Sequence, residues 1–121
     1  MKNPVAWYIH GEILFRQNDY NGAIDYLNAS INHKAKINNL YIILGKCYML
    51  ENNNNSALNN FNIALQNDSK NYICLKYCAY IYEIQKEHSN ALNSLDKLLS
   101  INENDSLILC YYGEILFNQK K

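Results

Sequence analysis

The pentapeptide Gly11-Glu12-Ile13-Leu14-Phe15 recurs letter for letter at Gly113-Glu114-Ile115-Leu116-Phe117, and Gly45 stands 34 residues after Gly11. The two copies lie 102 residues apart, which is three steps of 34. Around them apolar residues return at intervals of three and four, the spacing of one face of an α-helix. A helical chain that restates itself at such a period is read as a stack of repeated units, each relying on its neighbours to bury its apolar face.

On either side of Gly45, two stripes can be counted. Tyr41, Leu44 and Tyr48 form the first and Leu58, Phe61 and Leu65 the second. Between them lies Asn52-Asn53-Asn54-Asn55, poor in helix propensity and rich in turn and capping capacity, so the unit is predicted to be a helical hairpin. Equivalent turns are predicted at Asn18-Asp19-Tyr20-Asn21 and around Lys86-Glu87-His88-Ser89. Successive hairpins are separated by Asn67-Asp68-Ser69-Lys70-Asn71 and Asn102-Glu103-Asn104-Asp105-Ser106, where Asp or Ser is expected to cap the next helix. The units run over 4–37, 38–71 and 72–105, with a half unit at 106–121.

Small residues keep the same period. Gly11, Gly45, Ala79 and Gly113 fall on first helices, and Ala23, Ala57 and Ala91 on second helices. At each, a larger side chain is expected to hold the two helices of a hairpin apart. The half unit keeps Leu109, Tyr112 and Leu116 as apolar as their counterparts in the complete units, so the chain is expected to be an excerpt of a longer array, with Met1 an added start.

Composition narrows the function classes. With 121 residues, 49% of them hydrophobic, the chain has material for a core. Eleven basic and eleven acidic side chains give no net field toward phosphate or anionic lipid, so neither nucleic acid nor membrane is an expected partner. No apolar run approaches a membrane span, and a cytoplasmic location is expected. Cys47, Cys74, Cys78 and Cys110 fall inside predicted helices and are expected to be thiols.

These residues resemble the tetratricopeptide repeat family. Tyr41, Leu44-Gly45, Tyr48, Ala57, Phe61 and Ala64 match its pattern almost completely. The first unit keeps Trp7, Gly11 and Ala23 but carries His10, Leu14 and Ser30 at other pattern positions. The third keeps Tyr82 and Ala91, with Cys78-Ala79 in place of the aliphatic-glycine pair. Ala35, Ser69 and Glu103 stand where the family usually has proline. The resemblance implies an all-α, right-handed helical-hairpin solenoid of about three and a half units and seven helices. It also implies a concave wall, lined by first helices, that takes up a partner peptide or helix.

Helical spacing places Val5, Tyr8, Glu12, Phe15 and Arg16 on that wall, then Asn39, Ile42, Lys46, Met49 and Leu50. The third unit adds Ile73, Lys76, Tyr80, Glu83 and Ile84, and the last Leu107, Cys110, Glu114, Phe117 and Asn118. The wall is expected to be apolar and aromatic, with few charges, and about half of these side chains are expected to pack between helices instead. Some co-chaperones of the family hold a chaperone's C-terminal carboxylate with lysine, asparagine and arginine on three first helices. The matching positions here carry Tyr8, Glu12, Ile43, Ile73 and Tyr77, or one unit on Ile42, Lys46, Tyr77, Leu107 and Tyr111, so that clamp is not expected.

Nothing in the sequence groups into catalytic or metal-binding machinery. His10, His33 and His88 have no carboxylate or cysteine at ligand spacing, and His10 is expected to pack, partly buried, in the first hairpin. Cys74 and Cys78, four apart on one helix, are expected to fill core. No enzyme activity, metal or cofactor is expected. The leading expectation is a protein-interaction scaffold. A structural spacer or a module that self-associates through the terminal helix, 106–119, is the alternative, and an RNA-reading helical repeat a distant third.

Overall fold

The computed structural model describes residues 3–119. Met1, Lys2, Lys120 and Lys121, and with them the expected added start and the end of the half unit, lie outside the described residues. The described chain is seven α-helices with no strand. They are α1 (Pro4–Arg16), α2 (Tyr20–Asn32), α3 (Asn38–Leu50), α4 (Asn54–Asn67), α5 (Tyr72–Ile84), α6 (His88–Ile101) and α7 (Ser106–Gln119). Two compact bodies partition them, Met1–Asn67 holding α1 to α4 and Asp68–Lys121 holding α5 to α7.

Five of the helices start where a side chain accepts from their free backbone amides, while α3, after Ile37, and α6, after Glu87, have no such cap. Asn3 accepts from the amides of Val5 and Ala6 ahead of Pro4, whose fixed φ suits a first helical residue. Asp19 and Asn53 accept from Gly22 and Ser56 at the starts of α2 and α4. Asp105 opens α7 by accepting from Leu107 and Ile108, as expected from its linker. In the linker before α5 the cap is Asn71, accepting from Cys74, and not the expected aspartate or serine.

The turns inside the three hairpins are copies of one another. Asn18, Asn52 and Lys86 all have left-handed backbones, with φ of 65°, 63° and 59°. The next amide in each case donates five residues back: Asp19 to Leu14 at 2.9 Å, Asn53 to Tyr48 at 2.8 Å and Glu87 to Tyr82 at 2.8 Å. This arrangement closes a helix end on a left-handed residue, and it places each turn a residue or two earlier than the composition alone suggested.

In the N-terminal body α1 packs on α2, α3 on α4, and α3 also on α2. Ala23, Leu27, Leu40, Ile43, Leu44 and Cys47 form its core, with Leu14, Phe15, Ile24 and Tyr48 packed around them. Gly11 and Gly45 are notches in the first helices. A Cβ on Gly11 would stand 2.8 Å from Leu27 Cγ, and one on Gly45 would stand 2.5 Å from the Phe61 ring. Ser30, where the resembled repeat pattern has alanine, is fully buried with its hydroxyl donating to the Pro4 carbonyl. His10 packs within the first hairpin, its ring 4.1 Å from that of Tyr26 on α2, but it is exposed instead of partly buried.

In the C-terminal body α5 packs on α6 and α6 on α7. Cys74, Leu75, Cys78, Ala79 and Ile81 of α5, Ala91, Leu95 and Leu98 of α6, and Ile108 and Ile115 of α7 are its buried apolar residues. Gly113 departs from expectation. It is exposed, and a Cβ there would meet nothing within 4 Å, because among the described residues no second helix lies across this face of α7.

Candidate functional site

The first-helix faces differ sharply between the two bodies. On α1 the wall is a hydrogen-bonded polar network. Asn39 of α3 donates to the Tyr8 hydroxyl at 2.8 Å, Tyr8 donates to Glu12 at 3.2 Å, and Arg16 pairs with the other oxygen of Glu12 at 3.2 Å. Burial, with the neighbouring Glu12 charge, pushes the Tyr8 hydroxyl's pKa up against the opposing bond from Asn39, so the phenol stays protonated as a donor. Phe15 is half-buried, in ring contact with Tyr20. On α3 Ile42 is only 6% exposed and belongs to the packing of the helix instead of to a solvent-facing wall. Lys46 and Met49 are half-buried beside it, which leaves Val5 and Leu50 as the exposed large apolar side chains of this wall.

The wall of the C-terminal body is apolar. Ile73, Tyr80 and Ile84 of α5 are exposed, as are Leu107 at 81% and Phe117 at 62% on α7. Its charges are few. Lys76 extends over the Tyr72 ring, 5.8 Å from its centroid. Glu83 accepts from Asn118 at 3.4 Å and faces His88 Nδ1 at 2.9 Å. This histidine–carboxylate contact was not anticipated from the sequence. The two residues are five apart across a helix boundary, and they meet because the chain reverses at the left-handed Lys86 between them.

The two glutamates of the repeated pentapeptide end in different surroundings. Glu12 has Tyr8 and Arg16 as partners, whereas the same two positions beside Glu114 are Cys110 and Asn118. Glu114 is exposed, and among the described residues it makes no hydrogen bond or ion pair.

Among the described residues, no three His, Cys, Asp or Glu side chains gather where a metal ion could be held. Cys47 and Cys78 are buried, and burial pushes each thiol up to about 12, far from a reactive thiolate, while Cys110 is exposed on the α7 wall. A pocket of about 400 Å3 opens where α2 meets α3, lined by Ala35–Asn38, Tyr41 and Asn67, and it gathers no ionisable group beyond Lys36 and Tyr41. No described helix is long and apolar enough to cross a membrane.

Comparison with known proteins gives a family match for the first hairpin and a fold for the chain. The family model of the tetratricopeptide repeat matches residues 4–35, which are α1, α2 and the turn joining them. This first hairpin thus matches one tetratricopeptide repeat. Among solved structures, the tetratricopeptide fold extends over nearly the whole chain. MamA superposes with a TM-score of 0.89 at 17% identity, covering 98% of this chain and 70% of that one. The first tetratricopeptide domain of Spaghetti (RPAP3), bound to the HSP90 peptide SRMEEVD, gives 0.84 at 14% identity, over 98% of this chain and 94% of that one. The Yersinia enterocolitica type III secretion chaperone SycD, in complex with a peptide of the translocator YopD, gives 0.82 at 13% identity, over 94% and 92%. At these identities the likeness shows the fold. No curated protein matches the sequence.

Proposed function

We propose that this tetratricopeptide-repeat chain is a protein-interaction module whose first-helix faces take up a peptide or helix of a partner protein. The observation that carries this reading is the apolar wall of the C-terminal body, where Ile73, Tyr80, Ile84, Leu107 and Phe117 all face solvent. Side chains of this kind are stabilised by burial against an apolar partner at roughly 25 cal/mol for each Å2 removed from water. Two fold relatives hold peptides, the RPAP3 domain and SycD, which supports the class of partner. The balanced charge and the single arginine, Arg16, favour an apolar or amphipathic segment over a strongly charged one.

Selection of peptides from a random display library against the full chain, followed by affinity measurement, tests the reading. Apolar or amphipathic peptides are expected, and Tyr80→Glu and Phe117→Glu should each weaken them by about tenfold or more while the helical circular dichroism is unchanged. Both residues are exposed, so neither change opens the core. Ile42→Glu is unsuited to this purpose because it places a charge in the interior. Enriched peptides that bind equally well to both variants would reject the wall as the binding surface.

A further inference from the structure

Trp7 of α1 and Asp25, Tyr26 and Ala29 of α2 line an open cleft of about 260 Å3 on the first hairpin. The repeat does not dictate this lining. One unit on, the same positions are Tyr41, Asn59, Asn60 and Ile63, and two units on they are Leu75, Asn93, Ser94 and Lys97. Among the three hairpins, the first alone sets two aromatic rings beside a carboxylate. Nor is the cleft open for want of a hairpin ahead of it. In the second hairpin, which has α1 and α2 before it, Asn59 and Ile63 are the counterparts of Asp25 and Ala29, and both are exposed. We propose that this cleft binds a quaternary ammonium group, the chemistry shared by choline and a trimethylated lysine side chain.

Both rings are braced by a histidine that does not itself line the cleft. Trp7 meets His33 edge-on with ring centroids 4.5 Å apart, and Tyr26 meets His10 at 4.1 Å. The rings are thus held before a ligand arrives, and less side-chain freedom is lost on binding. An aromatic face attracts a cation through its quadrupole, most strongly for tryptophan, and a neighbouring carboxylate adds a full opposite charge. Asp25 can supply that charge, because it is exposed and among the described residues makes no hydrogen bond or ion pair. It is also the only anionic acceptor in the lining, to which Ala29 contributes a methyl group. Guanidinium and primary ammonium groups carry N–H donors that this lining leaves largely without acceptors. A quaternary ammonium carries none, so it can be covered by rings and methyl without that cost. An anion is repelled by Asp25, and a neutral group gains nothing from it.

Trp7 is the single tryptophan of the chain, so its fluorescence reads the cleft directly. The full chain is titrated at constant ionic strength with choline, with the neutral alcohol in which carbon replaces the choline nitrogen, and with a short peptide carrying one trimethyllysine. A saturable change in Trp7 emission is expected with choline and the peptide, and none with the alcohol. Asp25→Asn and Tyr26→Leu should each weaken the binding by roughly threefold or more. Both residues are exposed, so helical circular dichroism should be unchanged. Tighter binding of the peptide than of choline would assign the cation to a modified partner protein, and the reverse order to a free small molecule. Phe117→Glu should leave choline bound, so the cleft and the proposed groove fail separately. No saturation with either cation, an equal response to the neutral alcohol, or binding indifferent to both variants overturns the assignment.

Discussion

Gly11, Gly45 and Gly113 occupy one position of the repeat, yet replacing each by alanine is expected to have opposite consequences. At Gly11 the new methyl group meets Leu27, and at Gly45 it meets the Phe61 ring; both are fully buried and have no room to swing aside. Gly11→Ala and Gly45→Ala should therefore each destabilise the chain by about 1–3 kcal/mol through overpacking. Gly113 has open space where its Cβ would stand, so Gly113→Ala relieves only the conformational cost of glycine in a helix and should stabilise by about 0.5–1 kcal/mol. Denaturant unfolding of the three variants reads the signs directly, and a destabilising Gly113→Ala would show that something covers that face in solution. The small-residue period was plain in the sequence. So was the half unit that holds its last member, Gly113, although a glycine by itself states only the capacity for close approach.

The elements add two tests, one at a turn and one at a cap. Asn18, Asn52 and Lys86 hold the same left-handed geometry, which asparagine tolerates and lysine resists through its Cβ. Lys86→Gly should accordingly stabilise the α5–α6 hairpin by about 0.5–1 kcal/mol, seen as a higher melting temperature. At the start of α7, the Asp105 carboxylate lies below its ordinary 3.8 because the Tyr72 hydroxyl donates to it and the amides of Ile108 and Leu107 point at it. A depressed carboxylate contributes its stability above the unfolded-state pKa and loses it as pH falls through the folded value, so this contribution is present at neutral pH and vanishes in acid. Tyr72→Phe removes the largest cause and should raise the Asp105 pKa toward 3.8, read by carbon NMR of the side-chain carboxyl. An unmoved titration would show that the backbone amides alone set it. Hairpin identity and approximate turns were legible from apolar spacing and the asparagine runs. The turn boundaries were not, since they depend on which residue adopts positive φ.

At the scale of the whole molecule, the zero formal charge and the apolar wall of α5 and α7 bear on how the proposed partner peptide would be held. Binding of peptides to that wall should hold or strengthen as salt is raised from about 0.05 M to 0.5 M, since screening weakens charge pairs and not apolar burial. A steep loss of affinity across that range would point to Lys76, Glu83 or Glu114 as the main contacts. The wall expected from the sequence was apolar and aromatic with a few charges and with about half its side chains packed between helices; in the structure Tyr8, Glu12 and Arg16 on α1 satisfy one another with Asn39, and on α3 Ile42 is withdrawn into the packing.

Sequence by itself determined the helical class, the 34-residue period, the pairing of helices into hairpins and the positions where those helices must touch. Periodicity can do this because the angular step of a helix assigns every residue to a face. Tertiary structure alone decided which faces are covered. Ile43 and Cys47 are buried while Ile9 and Ile13, 34 residues earlier, are exposed; Glu12 is paired while Glu114 stands free of any described partner; Gly11 is filled by Leu27 while Gly113 is an open notch. A residue's face is a local property of its own helix, but its burial and its partners belong to whatever lies across that face, and equal letters at equal spacing leave that neighbour unspecified.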